Sequence, residues 1–132
     1  MFQIKTRADY GLMIMFELAK KPRQVTPVTS IAKRMQVSSI YLIQIARLLF
    51  RAGLIKSQEG ARGGYYLAKS PVKISILQIL EALEGKIEVS CAASPTHHCP
   101  NQSSCRIRSL WGEILPDIKA VLKKRNLASL LR

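Results

Sequence analysis

SSIYLIQIARLLFRAGLIKSQEGARGGYYLAKSP, residues Ser38 to Pro71, is the stretch on which the reading of this chain turns. Its first half has a helical pattern. Ser38 is a good N-cap, the helix carries the apolar residues Ile40, Leu42, Ile45, Leu48 and Leu49, and Ala52-Gly53 closes it. Two short strand-like runs follow, Leu54 to Ser57 and Tyr65 to Ala68. The glycine-rich tip EGARGG joins them, which predicts a β-hairpin. Gly60, Gly63 and Gly64 suit a tight turn and the close approach of another molecule to the backbone.

Working outward, Thr6 to about Lys20 reads as a helix, with Ala8, Leu12, Met15 or Phe16 and Ala19 at helical spacing and Lys20-Lys21-Pro22 as its stop. A short helix from Val28 to Met35 has Ile31, Ala32 and Met35 on its apolar face, and Gln36-Val37 turns the chain into Ser38. Beyond the hairpin, Ser75 can cap a helix from Ile76 to Leu83, with Gly85 after it. An irregular cysteine-bearing segment follows, and a long helical pattern begins at Leu110. Pro116 should bend that helix or open its bonds locally. The order is mainly α: a winged helix-turn-helix with a two-stranded wing and a long C-terminal dimerisation helix. Residues 1–70 form the DNA-binding region of this reading, and residues 71–132 hold the fourth helix, the cysteine loop and the dimerisation helix, all in one compact domain.

Charge points to the partner. The 132 residues carry 21 Lys and Arg against 8 Asp and Glu, a formal net charge of +13. Twelve of the basic residues but only three of the acidic ones precede Pro71, so the excess lies with the helix-turn-helix and favours a polyanion there. Ser38, Ser39, Tyr41 and Gln44 occupy the start of the third helix, where recognition helices touch DNA. Gln44 suits adenine, the two serines and Tyr41 suit phosphates, and Arg47 and Arg51 would meet the backbone one and two turns on. Arg62 at the hairpin tip could enter a narrow minor groove. A protein-binding helix and an ordinary surface turn are the blander readings. No acid, base and nucleophile converge in the sequence, so an enzyme is not expected. The run Gly11 to Phe16 is far short of the roughly 20 apolar residues of a membrane span, no signal peptide is evident, and a cytoplasmic protein is expected.

All three cysteines lie in CAASPTHHCPNQSSC, Cys91 to Cys105, together with both histidines. An odd count in a reducing compartment favours metal or redox chemistry over disulfides. Thiolates take zinc, copper(I) or iron–sulfur clusters. The spacing C-x7-C-x5-C lacks the close pair common at zinc sites and suits wrapping a bulkier cluster, with zinc and three bare thiols as alternatives.

Tyr41-Leu42-Ile43-Gln44, Ala52-Gly53-Leu54, the wing Gly60-Ala61-Arg62-Gly63-Gly64-Tyr65-Tyr66-Leu67 and Cys91/Cys99/Cys105 occur in an order that resembles the IscR/NsrR/RirA-like branch of winged-helix bacterial regulators. The resemblance runs from Ile4 to the last helix. It implies a homodimeric transcription regulator on a double-stranded DNA operator, controlled by a two-iron or four-iron cluster (2Fe–2S or 4Fe–4S) on Cys91, Cys99 and Cys105. One branch completes the ligand set with a histidine three residues after the last cysteine, where this chain has Arg108. Another branch uses an aspartate of the partner subunit's first helix, and Asp9 stands at that place; His97 and His98 are local alternatives. In the last helix, Leu110, Trp111, Ile114, Leu115, Ile118, Val121 and Leu122 recur at three- and four-residue spacing, and the resemblance makes that strip a dimer contact. Ile43, where some relatives are polar, implies a different base preference. A cluster-free or zinc-binding repressor of the same fold, and a basic RNA-associated structural protein, are the other readings.

Overall fold

Capping chemistry sets the helix boundaries in the computed structural model of the chain, which describes residues 6–88 and 105–132. Helix α1 spans Thr6–Lys20, α2 Val28–Met35 and α3 Ser39–Arg51. The Ser38 side chain accepts the Tyr41 backbone N–H at 3.4 Å and starts α3. Gln36, in the left-handed region at φ 57°, turns the chain between α2 and α3. Strands β1 (Ile55–Gln58) and β2 (Gly64–Leu67) pair antiparallel, with Ile55 opposite Leu67 and Gln58 opposite Gly64. A 3₁₀ turn at Pro71–Lys73 leads to α4 (Ile76–Glu84), which opens on a complete capping box: Ser75 accepts the Gln78 N–H while Gln78 accepts that of Ser75. Helix α5 covers Arg106–Lys124, and a 3₁₀ turn at Leu127–Leu131 closes the chain. This is the expected mainly α winged helix-turn-helix.

The core forms where α1, α2, α3 and α4 meet the wing and the closing turn. Ile14, Ile31, Leu42, Leu49, Ile74, Ile79 and Leu127 are completely buried in one cluster. Each such side chain contributes about 1.5–3 kcal/mol over leaving it in water. Leu127 reaches that core because the last residues run beside the entry to α4, where Ile76 N–H donates to the Arg125 carbonyl and Leu127 N–H to that of Ile74. The close meeting of α1 and α4 depends on Gly11, since any Cβ there would overlap the Leu83 side chain.

Three expectations need adjustment. In α1 the buried face is Ala8, Gly11, Ile14, Met15, Leu18 and Ala19, while Leu12 and Phe16 are only half-buried. The run GLMIMF is apolar all round, so spacing alone could not orient it. Ile40 is not part of the apolar backing of α3; it is 72% exposed. The last helix starts at Arg106 rather than Leu110; its first turn, Arg-Ile-Arg-Ser, exposes Arg106, Ile107 and Ser109 and shows no apolar period. That helix also continues through Pro116 as one element. Among the described residues no helix is long and apolar enough to cross a membrane.

Candidate nucleic-acid interface and cysteine region

Helix α3 is two-faced. Leu42, Ile45, Ala46 and Leu49 are buried, and Ile40, Gln44, Arg47 and Arg51 form an exposed row at four-, three- and four-residue steps. Ser38 is exposed beside it, with Ser39 half-buried. Tyr41 is half-buried too: its ring forms an edge-to-face pair with that of Tyr10 of α1, centroids 5.7 Å apart, which ties α3 to α1. Ile43 packs against the core cluster. The row is thus an aliphatic residue, an amide and two guanidiniums in order from the N-terminal end. Arg47 and Arg51 make no ion pair among the described residues, and neither does Arg62, exposed at the wing tip.

The wing has three parts rather than two. Thr26, in the loop between α1 and α2, exchanges both backbone hydrogen bonds with Tyr65 at 2.9 Å each. Gly64 makes this possible, because a Cβ there would strike the Thr26 carbonyl, and one on Gly63 would strike that of Gln58. These two glycines serve close approach within the protein itself. Gly60, at φ 103°, makes the tip turn. Tyr65 also lies 6.2 Å from Phe50, ring to ring, joining wing to recognition helix.

At the base of the wing an open groove of about 640 Å³ is lined by Lys21, Arg23, Gln24 and Lys69 among others. These cations went unassigned in the sequence because they are 48 residues apart at their extremes and only the fold gathers them. Some other cations are paired: Arg34 and Lys20 both meet Glu17, at 3.0 and 2.9 Å, and Arg7 meets Glu84 at 3.1 Å.

Helix α5 has no buried residue. Ile107, Leu110, Trp111, Ile118 and Val121 are 66%, 50%, 41%, 39% and 61% exposed, with Ile114, Leu115 and Leu122 half-buried beside them. Among the described residues the helix packs chiefly on α4. Among the described residues this strip stays largely exposed, as apolar surfaces that meet a partner do.

Cys105, half-exposed, is the residue just before α5, and its thiol makes no cap bond to the helix. Asp9 is exposed in the first turns of α1. Cys91, Cys99, His97 and His98 lie outside the described residues. Among the described residues no three His, Cys, Asp or Glu side chains converge as a metal site.

The family model "Rrf2: Iron-dependent Transcriptional regulator" matches residues 4–132. The chain belongs to the Rrf2 family. Rrf2 proteins are transcription regulators, not enzymes, and the winged helix-turn-helix described above is their DNA-binding fold. The HTH-type transcriptional regulator CymR of Bacillus subtilis is 39% identical over 97% of this chain and 88% of its own length. Protein rrf2 of Nitratidesulfovibrio vulgaris is 33% identical over 98% of this chain and 87% of that one. Among solved Rrf2 structures, that of CymR, described as the global cysteine regulator of B. subtilis, superposes with a TM-score of 0.78 over 98% of this chain and 96% of the other, at 39% identity. T. potens IscR superposes at 0.76 and 32% identity, covering 98% of this chain and 86% of that one.

Proposed function

We propose that this Rrf2 chain works as a homodimer that binds a roughly twofold-symmetric duplex operator. The carrying observation is α3: an outer row in which Gln44, Arg47 and Arg51 are exposed and, among the described residues, the two arginines make no ion pair, on a helix whose inner face is locked into the core. Ser38, Ser39, Tyr41, Gln44, Arg47 and Arg51 are assigned to the major groove and its phosphates. Arg62 is assigned to the adjacent minor groove, and the Lys21, Arg23 and Lys69 groove to the flanking phosphates. The apolar strip of α5, through Leu110, Trp111, Ile114, Ile118, Val121 and Leu122, is assigned to the twofold contact. Competition between a selected duplex, a random duplex and RNA tests the reading. RNA binding as tight as that of the selected duplex would replace it with a structural RNA-associated role.

Two controls of that binding are open to test. The full-length likeness to CymR gives more weight to a repressor whose operator binding runs without a cluster, or with zinc on the same thiols. The three cysteines and the likeness to IscR support the other, an iron–sulfur cluster. The donor set suits a soft metal in either case: Cys105 is half-exposed and makes no cap bond to the helix that it precedes, so its sulfur is open to a ligand. Cys91 and Cys99 would complete the thiolate set, and Asp9, exposed and free of any ion pair among the described residues, would complete it from the partner subunit. A cluster would supply a ligand set that changes with iron or oxidants. Anaerobic purification with iron, zinc and acid-labile sulfide analysis decides between them. Sulfide near stoichiometry with iron, lost in Cys91→Ala, supports the cluster; zinc or bare thiols with unchanged operator affinity support the repressor that needs no cluster.

A further inference from the structure

Of the large apolar side chains among the described residues, Ile40 is the most exposed, at 72%. It sits at the second position of α3, just inside the Ser38 cap. Its neighbours at this end of the outer row are polar, so no apolar patch surrounds it on α3. A β-branched side chain in a helix is held to essentially one χ1 rotamer, so Ile40 presents a fixed aliphatic tip. Ile43, the other aliphatic residue near this end, is half-buried and packs on the core, so it cannot do the same.

We propose that Ile40 is a specificity-determining residue that packs on the C5-methyl group of a thymine in each operator half-site. This rests on the operator-binding reading above. The major groove offers one apolar group, the thymine methyl, and the N-terminal turn of the recognition helix is where a side chain reaches base edges. Ile40 and Gln44 are one helical turn apart on the outer row, about 6 Å along the axis. With bases about 3.4 Å apart along a strand, the two contact positions one or two steps apart. An isoleucine followed by a glutamine therefore selects a thymine near an adenine.

The test starts from duplexes enriched by the wild-type protein from a random library. Each thymine in the enriched half-site is replaced singly by uracil, which removes the methyl and leaves the pairing edge unchanged. At one thymine per half-site, uracil should weaken binding about three- to fivefold, the worth of one buried methyl. In Ile40→Ala, that penalty should vanish at that thymine alone. Ile40 is exposed, so the variant should unfold at the wild-type temperature, and near-equal binding of the uracil duplex by both proteins provides the internal control. If uracil is tolerated at every thymine, or if Ile40→Ala keeps the same penalty, the inference fails while operator binding stands. If no duplex is enriched, operator binding fails and this inference goes with it.

Discussion

Single residues in this protein divide by whether their neighbours can yield. Gly64 faces the Thr26 carbonyl and the Pro27 nitrogen, both backbone, which have no rotamer to escape into. Gly64→Ala should therefore destabilise the fold by about 1–3 kcal/mol, the range of overpacked sites, and urea unfolding would register it as a lower midpoint. Operator affinity should drop as well, because the wing would be pushed off the α1–α2 loop. Arg62→Ala is the opposite case. The side chain is exposed at the tip, so stability should hold within about 0.5 kcal/mol. DNA affinity should fall with a salt dependence about one unit shallower if Arg62 neutralises a phosphate; binding titrations at several salt concentrations read this directly. The sequence displayed Arg62 plainly but hid the reason for Gly64, because its partner Thr26 is 38 residues away and carries no motif.

At the scale of elements, legibility followed local chemistry. Ser38, Ser75 and Gln36 act within three residues of themselves, and the helices they delimit were readable as written. The orientation of α1 was not, because Gly11–Phe16 is apolar on every side and only the contact with α4 selects the inner face. Nor was the start of α5, whose first turn shows no apolar period. The closing turn shows how a short element can matter more than its length suggests. Leu127 is completely buried and held by the Ile74 carbonyl. Leu127→Ala should cost about 2–5 kcal/mol, as for other buried leucines, whereas Ser75→Ala, removing one cap, should cost about 1 kcal/mol. Thermal or urea unfolding of both variants gives the comparison; equal losses would mean that the closing turn packs on the core less tightly than its burial implies.

For the whole molecule the decisive surface is α5. Among the described residues nothing buries any of its nineteen positions. Ile118→Asp with Val121→Asp should turn the dimer into a monomer in sedimentation without unfolding it, since both side chains already face solvent. Loss of the second half-site contact should then weaken operator binding by orders of magnitude, while binding to a single half-site changes little. A dimer that survives both substitutions would move the twofold contact elsewhere. The cysteine chemistry belongs to this scale as well. The sequence showed the thiols by their spacing, and the fold sets Cys105 directly before the first turn of α5.

The paired hydrogen bonds between Thr26 and Tyr65 have a mechanical consequence. With the Phe50–Tyr65 ring contact, they weld wing, loop and recognition helix into one stiff jaw. Two such jaws fixed on a common hinge behave as a caliper, and a caliper measures length. Inserting one base pair between the half-sites turns one jaw's target by about 34–36° and moves it by about 3.4 Å. A soft wing could follow that change; a welded one cannot, so a single inserted pair should abolish binding that a base substitution at the same place would leave intact. Gel-shift titration of the two duplexes would show it, and the number of bases between half-sites then becomes part of what this chain recognises.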